Sequence, residues 1–530
     1  MRSLTKRFGW LCSLSIPAAV AAVSFVAAST DANAQFRPNS FSVGPRGGSL
    51  GGNMRGIEPR FQRFYLDGRD ESVLSDRGKR KSTNVATTGP DGRKPDRRPP
   101  HKRPPVIVGP AIGAAIGTLG PAAPAGAGPQ TTTGRAINIP AANEQRFVKD
   151  EVVLEFAGNM PPPRIAQLLA RHGLVQLESQ TFTLTGSTYV RARIANKRSV
   201  RTVLQRLASE ATLRAGQPNY LYQGSQQQSE PAAQPPSGDP AQYALTKLRL
   251  NEAHHLANGD KVLVAVIDSS IDLSHPELKG VIAGSYDALG KCGKPHLHGT
   301  AIAGAIAAHA RLMGAAPAAR ILAICAFNPT SAGIEATTFA ILRGIEYAVM
   351  QKARILNMSF AGPADPGLAR QLAAAKARGT VLVAAAGNFG PKSPPQYPAA
   401  DPGVIAVSAT DADDKMFNAS NIGSHIAVSA PGVDILLPAP NDNYQMTSGT
   451  SFSAAYVAGV AALVIQRSPA LTPDAVRSIL ETTAKDLGPT GRDAEFGAGL
   501  VDAYQAIMAV PSSTAGGPQG GVSQPAVAAQ

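Results

Sequence analysis

The sequence predicts an α/β fold, a parallel sheet with helices on both faces, preceded by a small α+β domain and a disordered N-terminal region. In the second half of the 530-residue chain, short runs rich in Val, Ile and Ala alternate with longer apolar runs of helical length. Such alternation is typical of parallel sheets. Residues 146–224 show a different order of strands and helices, and the segment before them is rich in Gly, Pro and Arg.

Residues 1–34 have the pattern of a secretory signal peptide. Basic residues from Arg2 onward are followed by an apolar stretch and by Ala-Asn-Ala at 32–34, so cleavage after Ala34 is expected. The alternative is an uncleaved anchor, which Pro17 and the small-residue exit argue against. The sequence therefore predicts export, to the periplasm or the extracellular medium.

Residues 35–145 are predicted to be a disordered basic region rich in Gly and Pro. The whole chain has a net charge of +14, but residues 240–510 hold 20 Lys and Arg against 21 Asp and Glu. The basic charge therefore lies outside the second half, and we expect no nucleic-acid partner. Residues 35–105 either form a solvated linker or make weak contact with an anionic surface.

Residues 146–224 read as strand, helix, two strands, helix and strand, the ferredoxin-like order. The polar stretch 225–240 follows as a linker, and 511–530 is a predicted disordered tail. Between them, 241–510 is predicted to be the parallel-sheet domain. Its expected strands are 262–268, 320–326, 354–358, 380–385 and 403–408, and its expected helices are 298–310, 333–351, 366–378, 451–467 and 473–484.

Four segments of this domain carry the residues of a nucleophilic site: VAVIDSSID, HGTAIAG, AAAGN and SGTSFSAAYVAG. They contain Asp268, His298, Asn388 and Ser451, separated by 30, 90 and 63 residues. A carboxylate, an imidazole, an amide donor and a hydroxyl are the groups that activate a serine for attack on a carbonyl. His296 competes with His298 for the role of base, and the HGT triplet favours His298.

At these residues the chain resembles the subtilisin (subtilase) family of serine endopeptidases, over roughly residues 240–510. NMSFAGP, SAPGVDI and FGAGLVDAYQAI extend the resemblance. It implies that Asp268, His298 and Ser451 are catalytic, and that Asn388 and the N–H of Ser451 form the oxyanion hole. The implied substrate edge is Ser359, Phe360 and Ala361. The implied pocket for the side chain before the cleaved bond is lined by Ala385, Ala386, Gly387 and Gln396, unless 389–398 is only a surface loop.

Small domains directly before a subtilisin-like domain resemble its inhibitory propeptide. By that resemblance, 146–224 assists folding and then occupies the cleft with its C-terminal end, and self-cleavage falls in the linker 225–240. The alternative is a permanent substrate-binding module.

Some positions depart from the family pattern. Ala301, Phe452, Ser453 and Ala455 replace the usual residues around the histidine and the serine, which affects the expected efficiency of acylation and not the identity of the nucleophile. The stretch from His298 to Gly314 is too short for the metal-binding loop of calcium-stabilised bacterial members and offers few oxygen ligands.

Glu277 stands where a carboxylate ligand would be expected. We therefore predict no cofactor, no metal ligands and no strong calcium site, and leave a weaker structural calcium site open.

Three cysteines occur, and Cys12 is removed with the signal peptide. In an oxidising compartment the remaining pair, Cys292 and Cys325, favours a disulfide, with two separate thiols as the alternative.

The sequence therefore predicts an exported, monomeric serine endopeptidase that acts on proteins or peptides and is made as a self-processed precursor. The competing interpretation is a catalytically weak relative that binds peptides or attaches to a surface.

Overall fold

A seven-stranded sheet forms the centre of the larger domain. The computed structural model describes residues 136–224, 227–228, 242–331 and 333–510. Every neighbouring pair of strands in this sheet runs parallel, as the alternating sequence pattern predicts. In spatial order the strands are β16 (Ile426–Pro431), β15 (Ile405–Thr410), β14 (Val381–Ala385), β12 (Ile355–Met358), β7 (Leu263–Asp268), β9 (Arg320–Cys325) and β8 (Ile282–Asp287).

Helices pack on both faces of this sheet and bury two separate cores. Within β7, Val264 and Val266 belong to one core while Ala265 and Ile267 belong to the other, because successive side chains of a strand point to opposite faces. The first core contains α5 (Leu297–Ala307), α8 (Thr450–Arg467), α9 (Pro473–Thr482) and α10 (Ala503–Met508). The second contains α6 (Thr338–Met350) and α7 (Pro366–Ala377).

Shorter elements complete the larger domain. A hairpin of two antiparallel strands follows β16 and lies outside the parallel sheet. The elements not yet given are α3 (Tyr243–Lys247), α4 (Leu250–Ala253), the 3-10 turn Pro276–Leu278, β10 (Asn328–Thr330), β11 (Gly333–Thr337), β13 (Phe360–Ala361), β17 (Ile435–Ala439) and β18 (Asn443–Ser448).

The smaller domain has the β-α-β-β-α-β order that the sequence predicts. Its sheet order is β5-β2-β4-β3, and neighbouring strands are antiparallel. Apolar residues of both helices, such as Leu168 and Leu204, pack on one face of this sheet. The elements are β2 (Phe147–Ala157), α1 (Pro162–Arg171), β3 (Leu174–Phe182), β4 (Ser187–Ile194), α2 (Val200–Leu207) and β5 (Leu213–Gly224).

The C-terminal end of β5 leaves its own sheet and lies between two strands of the larger domain. On one side it pairs with β11, where Tyr222 stands opposite Ala336. On the other side Gly224 stands opposite Phe360 of β13. Further along the chain, β6 (Gln227–Gln228) pairs with β18. The chain is therefore hydrogen-bonded to the larger domain both before and after residues 225–226.

Two sequence expectations are corrected. Residues 333–337, predicted as the start of a helix, form β11, because they pair with both β10 and β5 before α6 begins at Thr338. Residues 136–145, predicted to be disordered, contain β1 (Ala136–Ile137), which pairs with β5 in parallel.

Several predicted segments lie outside the described residues, and the domain boundaries stay predictions. The segments outside are 1–34, 35–135, 225–240 apart from β6, and 511–530.

Candidate active site

Asp268 ends β7, an inner strand of the parallel sheet, at the carboxyl edge where open sheets place their sites. The residue is buried, with 1% of its surface exposed. Its Oδ1 accepts a hydrogen bond from the N–H of Ser269 at 2.7 Å and from the Ser269 hydroxyl at 3.1 Å. The same hydroxyl accepts the N–H of Gly299 at 3.0 Å and so joins the end of β7 to the start of α5.

His298 is the second residue of α5 and is fully buried. Its Nδ1 lies 2.7 and 2.9 Å from the two carboxylate oxygens of Asp268. His296 does not share this position: it is the N-cap of α5, and its Nδ1 accepts the N–H of His298 at 3.2 Å. Burial, and next the neighbouring His298, lower the pKa of His296, so its ring stays neutral and can accept that bond.

Ser451 is the second residue of α8, a helix that is buried from Thr450 to Ile465. Its Oγ donates to the carbonyl of Ser359 at 3.1 Å, and the Ser359 hydroxyl donates to the carbonyl of Ser451 at 2.9 Å. Asn357 donates to the Ser359 hydroxyl at 2.9 Å and fixes this pair. The start of α8 is therefore locked to the end of β12.

Ser451 Oγ and His298 Nε2 are not hydrogen-bonded to each other in the structure. Among the described residues, Nε2 of His298 is buried without a hydrogen-bond partner, and Ser451 Oγ donates to the Ser359 carbonyl.

Asn388 has one end of its amide fixed and the other end uncommitted. Its Oδ1 accepts the N–H and the hydroxyl of Thr450 at 3.1 and 2.9 Å. Among the described residues its Nδ2 is buried without a partner. Thr450 also accepts the N–H of Gly387 at 3.1 Å. An amide donor is thus held beside the residue that precedes Ser451.

The three residues predicted to form the substrate edge lie against β5. Phe360 and Ala361 pair with Gly224 and Gln223 in antiparallel register, and Ser359 directly precedes them. A Cβ built on Gly224 would lie 3.6 Å from Cε1 of His298. The end of the small domain therefore occupies the groove between this edge and the histidine.

The residues predicted to line the pocket are found in two places. Ala385, Ala386 and Gly387 lie at the end of β14, where both alanines are fully buried, and their role in the pocket stays a prediction. Gln396 is engaged elsewhere: its Oε1 accepts from Arg146 at 2.6 Å, and its Nε2 donates to Pro394 and Ser393. The place of Gln396 in the pocket, like that of the two alanines, stays a prediction.

Cys292 and Cys325 form a disulfide in the structure, with their Cα atoms 6.2 Å apart. Cys325 ends β9 and is the register partner of Asp268 on β7. The bond therefore ties the segment that precedes His298 to the strand beside Asp268.

The carboxylate of Glu277 accepts hydrogen bonds from a short loop. Its oxygens accept the backbone N–H groups of Ala310, Arg311 and Leu312 at 2.8 to 3.0 Å and the hydroxyl of Tyr444 at 2.9 Å. Among the residues that the structure describes, no group of three or more His, Cys, Asp or Glu side chains is arranged for a metal ion. The expected lack of a strong calcium site stays a prediction.

This arrangement has counterparts in known proteins. The model of the subtilase family matches residues 259–499. Thermitase of Thermoactinomyces vulgaris is 34% identical over 275 residues, which cover 50% of this chain and 96% of thermitase. The chain belongs to the subtilase family. It is a subtilisin-like serine endopeptidase, a hydrolase that acts on proteins or peptides.

Other subtilases show similar relations. Subtilisin DY of Bacillus licheniformis is 35% identical over 259 residues, which cover 47% of this chain and 92% of that protein. Among solved structures, fervidolysin from Fervidobacterium pennivorans, a keratinolytic enzyme related to subtilisin, gives a TM-score of 0.61 at 24% identity. That likeness covers 72% of this chain and 64% of fervidolysin, and it shows the fold alone.

Sequence reasoning missed two residues of the site. Ser269 bridges Asp268 and α5, and Thr450 holds Asn388. Both directly follow or precede a residue that the motifs identify, so adjacency was the only signal in the sequence. Hydroxyl groups are common at such positions, and only the contacts distinguish them.

Proposed function

We propose that this subtilase cleaves peptide bonds through Asp268, His298 and Ser451. His298 Nε2 takes the proton of Ser451 Oγ while Oγ bonds to the peptide carbonyl carbon, and the amine leaves with that proton. Water then hydrolyses the acyl-enzyme by the same route. Asp268 orients His298 and stabilises the imidazolium. The observation that carries this proposal is the pair of 2.7 and 2.9 Å contacts between Nδ1 of His298 and the buried Asp268 carboxylate.

The oxyanion of the tetrahedral intermediate is assigned to Nδ2 of Asn388 and the backbone N–H of Ser451. The support for Asn388 is its uncommitted, buried Nδ2 beside Thr450. The mechanism also requires rotation of Ser451 about its Cα–Cβ bond, away from the Ser359 carbonyl and toward His298.

A fluorophosphonate probe tests the nucleophile. Wild-type protein should be labelled on Ser451 and should hydrolyse peptides, whereas Ser451→Ala should do neither. Ser453→Ala is the matched control. Ser453 lies in the same helix as Ser451, but its hydroxyl donates to the carbonyls of Ala430 and Pro431 in β16. Wild-type protein that is neither labelled nor active would favour a peptide-binding role instead.

We further propose that residues 146–224 are an inhibitory propeptide that the enzyme removes from itself. The supporting observation is that β5 and β6 pair with the larger domain on either side of residues 225–226, with Gly224 beside His298. The cleaved bond is therefore one of those that join Gly224 to Gln227.

Mass spectrometry and N-terminal sequencing of purified protein test this processing. Wild-type protein from a protease-deficient host should begin at residue 225, 226 or 227. In the Ser451→Ala variant, residues 146–224 should remain covalently attached to the larger domain. A Ser451→Ala chain that is still cut at this place would exclude self-cleavage, and an active enzyme that retains 146–224 would favour a permanent module.

Export is proposed from the pattern of residues 1–34. Among the residues that the structure describes, no helix combines the length and apolar character that a bilayer span requires. The precursor of the Ser451→Ala variant should begin at Gln35 when it is recovered from the periplasm or the medium. A precursor that keeps residue 1 would contradict the proposed signal peptide.

A further inference from the structure

Tyr222 of β5 is fully buried in a pocket of the larger domain. Its ring meets the ring of Phe360 edge to face, with centroids 5.8 Å apart. Gly362 lies against the ring so closely that a Cβ added there would overlap Cδ1 of Tyr222. The absence of a side chain at Gly362 therefore creates the space that the aromatic ring fills.

The hydroxyl of Tyr222 reaches polar groups at the end of this pocket. It lies 3.3 Å from Oδ2 of Asp365 and 3.3 Å from the carbonyl of Pro363. Burial, and next the negative charge of Asp365, raise the pKa of Tyr222, so the phenol stays protonated and donates. A pocket that bound only an apolar side chain would not need the Asp365 carboxylate or the Pro363 carbonyl at this position.

Asp365 is held in place by the larger domain itself. Its Oδ1 accepts the N–H of Leu368 at 3.0 Å as the N-cap of α7, and its Oδ2 accepts the Thr338 hydroxyl at 2.6 Å. Both contacts lie within the larger domain and do not involve β5, although Gln217 of β5 also donates to Oδ1. The carboxylate is therefore pre-positioned when another peptide replaces the small domain.

We propose that this pocket selects tyrosine in protein substrates and that Asp365 recognises the phenolic hydroxyl. The selected tyrosine stands two residues before the one opposite Phe360, as Tyr222 stands before Gly224. This inference rests on the proposed function, in which β5 lies where substrates bind. Because a pocket that is only apolar favours phenylalanine over tyrosine, the order of preference between these two residues reports on Asp365.

Peptide turnover by the processed wild-type enzyme tests the inference. A fluorogenic peptide with the sequence of residues 217–230 is compared with forms that carry phenylalanine, O-methyltyrosine or alanine at position 222. The tyrosine peptide should exceed the phenylalanine peptide by about tenfold in kcat/KM. This is the effect expected of one hydrogen bond to a charged acceptor when the donor–acceptor distance is long. O-methyltyrosine should fall below phenylalanine, because it brings a methyl group against the carboxylate.

Tyr220 provides the matched control within the same peptide. Its ring packs on Phe147 and in a core shared with the larger domain, while its hydroxyl donates to Asn138, which lies outside the larger domain. Tyr220→Phe in the peptide should therefore leave kcat/KM unchanged. Mass spectrometry must locate the cut between the positions equivalent to 224 and 227, and a cut elsewhere would overturn the proposed register.

Two enzyme variants test the residues of the pocket. Asp365→Ser keeps a helix-capping oxygen and removes the carboxylate, so the tyrosine to phenylalanine ratio should fall close to one. Gly362→Ala should collapse the tyrosine to alanine ratio by filling the space of the ring.

The wild-type peptide series decides the inference even when a variant does not fold. Equal turnover of the tyrosine and phenylalanine peptides, or a ratio unchanged in Asp365→Ser, would overturn the tyrosine assignment and leave the protease intact. No turnover of any of these peptides by an enzyme that cleaves other proteins would overturn the proposed position of β5 in the substrate groove, and the pocket with it.

Discussion

Thr450 shows how a single hydroxyl can prepare an active site. It donates to Oδ1 of Asn388 and accepts the N–H of Gly387, at 2.9 and 3.1 Å. Because Oδ1 is occupied, the amide is oriented with Nδ2 available, which is what the proposed oxyanion role of Asn388 requires. Thr450 touches no substrate atom in this scheme and acts by positioning Asn388.

Thr450→Val should therefore lower kcat by about tenfold and leave KM nearly unchanged, because it removes a hydrogen bond of about 1–1.5 kcal/mol that orients the oxyanion donor. Steady-state kinetics on a peptide substrate measure both parameters. Thr410→Val is the control, since among the described residues the buried Thr410 hydroxyl has no partner. Equal losses in the two variants would assign the effect to packing.

His254 makes stability depend on pH. Burial lowers its pKa, and its Nε2 lies 3.0 Å from the carbonyl of Ala315, to which the neutral ring can donate. The unfolded chain binds the proton more readily than the folded chain in the pH range between the two pKa values. The stabilising contribution is therefore complete above the unfolded pKa of about 6.5 and is lost as pH falls through the lower folded pKa.

Thermal unfolding of the processed enzyme should consequently show a Tm that becomes lower as the pH is lowered from 7.5 to 5. His254→Gln should reduce this decrease, because glutamine does not titrate. An identical pH dependence in both proteins would show that other groups, such as His425, are responsible.

At the scale of elements, the loop after α5 is held by a carboxylate from the 3-10 turn that precedes α5 in the sequence. Glu277 lies in the 3-10 turn and is fully buried, and it accepts consecutive N–H groups of residues 310–312. Tyr444 of β18 donates to the same carboxylate. We propose that these hydrogen bonds hold the loop without calcium.

Chelation of the processed enzyme with EDTA should therefore leave Tm and activity unchanged, and a large loss of either would contradict the proposal. Glu277→Gln should lower the stability by about 1.5–3 kcal/mol, because the amide presents N–H groups to backbone donors. Glu252→Gln is the control, since that side chain forms an exposed ion pair with Arg249, and such pairs contribute little.

The elements also show which parts of the fold the sequence could predict. The strands that end at Asp268 and Cys325 and the helix that begins at Pro473 follow from apolar runs and a Thr-Pro start signal. Residues 333–337 were predicted wrongly, because their apolar spacing continues into α6 and the partner strand β5 lies more than 100 residues away. Pairing over such distances leaves no local pattern in the sequence.

At the scale of the whole molecule, the small domain supplies hydrogen-bond acceptors to helix starts of the larger one. Oδ1 of Asn219 accepts the N–H of Phe339 at 3.3 Å, and Oε1 of Gln217 accepts the N–H of Gly367 at 2.9 Å. In return, Glu346 accepts the N–H of Thr183 at 2.7 Å. The N-terminal turns of α6 and α7 therefore gain partners for backbone groups that a helix cannot satisfy itself.

Removal of both amides in the Ser451→Ala precursor should lower its stability. Gln217→Ala with Asn219→Ala should cost about 1–3 kcal/mol, the usual range for two helix-capping contacts, as measured by thermal or denaturant unfolding. Gln176→Ala, an exposed change on β3, is the control. An unchanged stability of the precursor would mean that water replaces both acceptors without loss of free energy.

The candidate site was easier to predict from sequence than its contacts. Asp268, His298, Asn388 and Ser451 lie in short motifs whose order along the chain indicates the chemistry, and the resemblance assigns their roles. The hydrogen bond from Ser451 to Ser359 and the contacts of Gln396 depend on side-chain rotamers, which no motif encodes.

The dual membership of β5 has a consequence for latency. One strand is both a structural part of the small domain's sheet and the segment that fills the groove, so its two hydrogen-bond ladders are mechanically continuous. Unfolding of the small domain should then also release the end of β5 from the groove. If the chain processes itself as proposed above, the time for which a cleaved molecule stays inactive should be set by how long the small domain stays folded.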